Sequence, residues 1–171
     1  MVRTYTNISM NPTKKLTNVL LQINEDYGGD VTFINPVSEA NFDAFSSLIN
    51  WQLPEVFRYF YTKESNGIII GNRKVLSIND TTQKKSWVDN IERHNNPITS
   101  PWFKNRPHIF NDYLVIGYDN DICFCLSKKY HLENPSIYIC ENANSKKGVD
   151  LNSLDLDLPD LILQIVINEF E

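Results

Sequence analysis

Near residue 67 the spacing of apolar residues in this 171-residue chain changes from helical to strand-like. Before that point they recur three and four positions apart. After it they come in short runs cut by Gly, Asn, Asp and Pro. Helices first and strands afterwards spell α+β: N-terminal helices packed on a mainly antiparallel sheet of about five or six strands, closed by a C-terminal helix.

The helical part has three segments. Asn11-Pro12 offers a cap followed by a proline at the first helical position, and Leu16, Val19, Leu20 and Ile23 form one stripe before Gly28-Gly29 closes the helix. Val31 to Ile34 reads as a short strand. A second helix begins near Pro36-Val37-Ser38, with Phe42, Phe45, Leu48 and Ile49 facing inward. A third starts at Pro54 and buries Val56, Phe57, Phe60 and Tyr61.

Ile68–Ile70 and Arg73–Ile78 then read as two strands joined by Gly71-Asn72, residues that tolerate the positive φ of a tight hairpin. Asp80, with Gln83 placed for a capping box, opens a fourth helix with Trp87, Val88 and Ile91 inward, ending before Asn95-Asn96-Pro97. Three prolines between Pro97 and Pro107 exclude a regular element, while Trp102 and Phe103 anchor an ordered loop. Tyr113–Gly117 and Ile122–Leu126 flank the turn Tyr118-Asp-Asn-Asp121, and Ser136–Cys140 adds a strand. Pro159 starts a final helix on Leu161, Ile162, Ile165 and Val166. With no repeat and no low-complexity linker, residues 1–171 read as a single domain.

Composition narrows the function. The net charge of −5 argues against a nucleic-acid partner, and no apolar run approaches the roughly 20 residues of a membrane span. The N-terminus lacks the layout of a signal peptide, and three cysteines make no disulfide framework, so a cytoplasmic chain is expected. The charge is uneven. Residues 73–106 hold seven basic and three acidic residues, whereas residues 107–171 hold four lysines against eleven acids. Such an acidic segment is either plain solvated surface or a face that steers a basic partner.

A search for chemistry finds little. His94, His108 and His131 lie far apart, and Cys123 and Cys125 alternate on a strand with no CxxC, so buried core thiols are expected rather than a metal site. No phosphate-cradling glycine motif occurs, and Asp119 with Asp121 falls short of a calcium ligand set. Cys140 and His131 can be paired as a nucleophilic dyad, but so can any such residues in a chain with three of each. The expectation is a non-enzyme without cofactor or metal.

Within Trp51 to Gly67, a Leu53-Pro54 pair opens a helix anchored by Phe57, and Asn66-Gly67 turns into the first strand of the hairpin. Together with Leu114–Gly117, the acidic turn Asp119–Asp121, Ile122–Leu126, the strand after it and the closing helix, this order resembles the SUKH superfamily, which includes the yeast cell-wall-assembly regulators and many bacterial immunity proteins. The resemblance runs from about Pro36 to the C-terminus, with residues 1–35 as an extension. Family members often have a longer, glycine-richer turn than Tyr118–Asp121.

The resemblance implies a non-enzymatic immunity protein that binds and neutralises a cognate bacterial toxin, polymorphic or contact-dependent, possibly a nuclease, whose cationic cleft an acidic surface can fill. On that reading Asp112, Tyr118, Asp119, Asp121, Tyr130 and Glu133 are the expected partner contacts, while Leu53, Pro54, Phe57, Asn66, Gly67 and Gly117 serve the fold. A monomer without nucleic-acid or membrane partners is expected. The alternative is a regulatory scaffold that docks cellular proteins and has no toxin partner.

Overall fold

A computed structural model describes residues 11–80, 90–102, 111–129, 135–141 and 151–167. It is α+β. Helix α1 (Pro12–Tyr27) begins where the Asn11 side chain accepts a hydrogen bond from the Thr13 N–H, and buries Leu16, Val19, Leu20 and Ile23. Gly28 ends it in the ordinary right-handed region (φ −58°), so the stop needs no left-handed residue. Helix α2 (Glu39–Leu48) is capped by Ser38 and buries Phe42 and Phe45. Leu48, expected inward, is 69% exposed: it is the last helical residue, and the chain turns away at Asn50, whose φ is +51°.

Helix α3 (Glu55–Tyr59) starts on the Pro54 carbonyl, which accepts from the Phe57 and Arg58 N–H groups. It runs into a π-helical turn (Phe60–Glu64) closed by a bond from the Ser65 N–H to the Phe60 carbonyl. Spacing alone does not distinguish that wider turn from an α-helical one. Helices α4 (Ile91–His94) and α5 (Leu158–Ile167) follow.

Among the described residues, seven strands form one antiparallel meander in chain order: β1 (Thr32–Phe33), β2 (Ile68–Ile70), β3 (Arg73–Val75), β4 (Tyr113–Asp119), β5 (Ile122–Ser127), β6 (Ile137–Glu141) and β7 (Asn152–Ser153). The number exceeds expectation because β7 is two exposed residues that pair with Tyr138 and Ile139. Tyr118 and Asp119 belong to β4, which shortens the expected turn to Asn120-Asp121, with Asn120 at φ +45°.

Ladder partners share a side of the sheet. One face carries Ile68, Val75, Gly117, Phe124 and Ile139. Arg73, two residues before Val75, donates from its guanidinium to the Ile165 carbonyl at 2.6 Å, which marks this face as the one α5 covers. Lys15 of α1 bridges Asp157 and Asp160 at the start of α5 (2.9 and 2.7 Å), and α1 also contacts α3. The opposite face carries Ile69, Lys74, Tyr118, Cys123 and Cys140.

On that second face the sequence reading of α4 is corrected. No continuous helix runs from Asp80 to His94. Asn90 is extended (φ −127°, ψ 171°), bridges Ser77, and itself caps α4 by accepting from the Arg93 N–H at 2.9 Å. Asp80 accepts from the Asn41 amide at 2.8 Å, while the capping partner expected at Gln83, and Trp87, Val88 and Phe103, lie outside the described residues.

Segment 90–95 fills the wedge that opens where β3 diverges from β4. The last bond between those strands runs from the Leu76 N–H to the Ile116 carbonyl. One residue on, the Asn95 side chain takes over, accepting from the Val115 N–H at 2.7 Å and donating to the Val115 carbonyl at 2.8 Å. Asn66 clamps Ile78 in the same way, with both bonds at 3.0 Å. Each amide substitutes for a missing strand neighbour, because a buried N–H or carbonyl left without a partner costs about 1–3 kcal/mol.

Candidate functional site

Because β3 and β4 are neighbours, the Gly71-Asn72 turn and the Asn120-Asp121 turn lie side by side at one end of the sheet. Between them is an open groove of about 470 Å³ lined by Gly71, Asn72, Lys74, Tyr118, Asn120 and Asp121. Gly71 carries a φ of +56°, which suits glycine and leaves the first turn without a side chain over the groove.

Gly117, on the opposite face, sets how closely the two strands behind the groove approach. A Cβ built there would stand 2.6 Å from the Lys74 carbonyl oxygen, so only glycine lets β3 approach β4 beside the irregularity between Val115 and Gly117. That approach pairs Lys74 with Tyr118 across the ladder and puts the Lys74 ammonium 5.8 Å from the centre of the Tyr118 ring, at the outer edge of cation–π range.

The Tyr118 ring is supported from below. The His94 imidazole stacks on it at 5.2 Å and 26°, and Trp102 lies 6.1 Å from it at 40°. Trp102 in turn donates from its indole N–H to Nδ1 of His94 at 2.9 Å. Trp102 therefore anchors its loop as expected, through a histidine that the sequence reading left without a role.

The four expected contact residues that are described do not form one cluster. Tyr118 and Asp121 meet at the groove. Asp119 is adjacent but only 3% exposed, and its carboxylate accepts from the Asn120 amide at 3.0 Å, bracing the turn from inside. Asp112 stands beyond the other end of β4, a strand whose seven residues span roughly 20 Å at the usual rise. There it pairs with Lys129 at 2.9 Å. Tyr130 and Glu133 lie outside the described residues. The acidity of the C-terminal half is thus partly balanced from within, by Lys129 at Asp112 and Lys15 at Asp157 and Asp160.

Leu53 and Phe57 are buried, Asn66 clamps Ile78, and Gly67 holds a φ of +114° with its α-carbon pressed towards the Val75 carbonyl. Cys123, Cys125 and Cys140 are free and buried, with the first two sulfurs 3.7 Å apart. Burial, then hydrogen bonds to the neighbouring thiols, push the Cys123 thiol well above its usual range. Among the described residues, no His, Cys, Asp or Glu group is placed to hold a metal ion, and no helix is long and apolar enough to cross a membrane.

A seven-stranded meander with helices on one face and an asparagine-clamped segment on the other defines a single-sheet α+β domain. The family model of the SMI1 / KNR4 family (SUKH-1) matches residues 36–156, and the chain belongs to that family. No curated protein matches the chain. Helix α1, strand β1 and helix α5 fall outside the matched range, yet β1 extends the sheet beside β2 and α1 packs on α5.

Proposed function

We propose that the chain is a non-enzymatic immunity protein, which captures a cognate bacterial protein toxin and blocks it in the cytoplasm. In a chain of this family, one observation carries the reading: Tyr118 and Asp121 stand together in an open groove at the exposed end of the sheet. An aromatic ring beside a carboxylate is the kind of pair that anchors a basic protein surface, because tyrosine supplies contact area and the charge speeds encounter. The buried thiols support the non-enzymatic part, since Cys123, Cys125 and Cys140 have no exposed surface and burial disfavours the Cys123 thiolate.

The experiment is co-expression with the toxin encoded beside this chain's gene. Restored growth with the intact chain, lost with Tyr118→Ala, is the expected result. Failure against every adjacent candidate toxin overturns the reading in favour of a regulatory docking scaffold.

A further inference from the structure

We propose that His94 and Trp102 are positioning residues for Tyr118, and that the neutral imidazole of His94 is the latch that holds the contact ring in place. The proposal rests on the reading above only for what the groove binds; the latch itself belongs to the isolated chain.

The hydrogen bond decides the protonation state. Trp102 has a single indole donor and no acceptor there, so Nδ1 of His94 accepts and carries no proton. The ring proton of the neutral imidazole then sits on Nε2. His94 is 6% exposed at the end of α4, and its ring is inclined at 28° to Trp102 and at 26° to Tyr118. The three rings form a triangular cluster with centroids 6.5, 5.2 and 6.1 Å apart, so Tyr118 packs against both His94 and Trp102. Tyr118 therefore has little freedom to tilt while the cluster is intact.

Protonation at Nδ1 turns the acceptor into a donor facing the indole N–H. One of the two rings must then move, and the surface that moves with it is the Tyr118 wall. Among the described residues, the charged and titratable groups around this cluster are Tyr118 itself, Lys74 over its ring, Cys123 as its ladder partner, and Glu92 and Arg93 on the same helix as His94. Lys74 adds a second positive charge on the Tyr118 side, which opposes a charged His94. Histidine is the side chain that ordinarily changes charge between about pH 5 and 8, and protonation of this one opens the latch.

Nuclear magnetic resonance on the full chain, with no partner added, tests this. At neutral pH, His94 is expected as the Nε2–H tautomer with Nδ1 coupled to the Trp102 indole. On acidification the Tyr118 ring signals shift with the His94 titration, and exchange of the Trp102 indole proton quickens about fivefold or more, the loss of one buried neutral hydrogen bond. Trp102→Phe is expected to abolish the coupling and release the Tyr118 signals at neutral pH. A proton on Nδ1 at neutral pH, or Tyr118 signals that ignore the His94 titration in the unaltered chain, overturns the proposal. Neither result depends on a toxin, so failure of the latch and failure of the immunity reading are separate outcomes.

Discussion

Asn95 holds Val115 by both of its backbone polar groups, and this clamp supplies an edge that β3 has already left. Asn95→Ala removes three buried side-chain bonds, two to Val115 and one to the Ile91 carbonyl, and leaves the Val115 N–H and carbonyl without that partner. A loss of about 2–4 kcal/mol is expected in urea denaturation. Asn95→Asp is expected to be similar, because it keeps the acceptor for the Val115 N–H and turns an oxygen on the Val115 carbonyl.

Gly117→Ala forces a methyl group against the Lys74 carbonyl oxygen, which a backbone atom cannot avoid by changing rotamer. A destabilisation of about 1–3 kcal/mol is expected by thermal or urea unfolding. The groove is also expected to change, because Lys74 and Tyr118 face each other across the same pair of strands.

Much of the scaffold is legible in residues such as Asn11, Ser38, Pro54 and Gly71, because caps and tight turns are local chemistry. What was not legible depends on distance along the chain. That Asn90 is extended and starts α4 itself shows only in its bridge to Ser77. Tyr118-Asp-Asn-Asp121 does not reveal which two residues turn, so the burial of Asp119 needed the β4–β5 register. Tyr118 and Asp121 were found as turn residues beside each other. Lys74, His94 and Trp102 were missed as site residues, because three separate elements bring them to Tyr118.

Two glutamates are expected to act on stability with opposite signs. Hydrogen bonds from Lys63, then Arg58, bring the Glu39 carboxyl down to about 2. Its contribution is present above the unfolded value near 4.3 and is lost as pH falls towards 2. Burial raises the Glu92 carboxyl, one of whose oxygens has no hydrogen-bond partner. Its contribution is complete below the unfolded value and is lost as pH rises through the higher folded one. In unfolding curves between about pH 2 and 7, the deficit of Glu39→Gln is expected to shrink towards acid. Glu92→Gln is expected to gain on the unaltered chain as pH rises.

The three thiols are expected to resist alkylation at neutral pH in the folded chain and to react together on unfolding. A slowing of roughly a thousandfold or more relative to the denatured chain follows from ordinary domain stability. Rapid labelling of any one in the native state contradicts their place in the core.

The central claim is that the hairpin end captures a basic protein partner. Its most direct measurement is the affinity of the purified chain for the toxin encoded beside its gene, taken across a salt series with Tyr118→Ala and Asp121→Lys. The expected result is a loss of about 2 kcal/mol or more for Tyr118→Ala, with slower, less salt-dependent association for Asp121→Lys. Binding that both variants leave unchanged in strength and in salt dependence contradicts the claim.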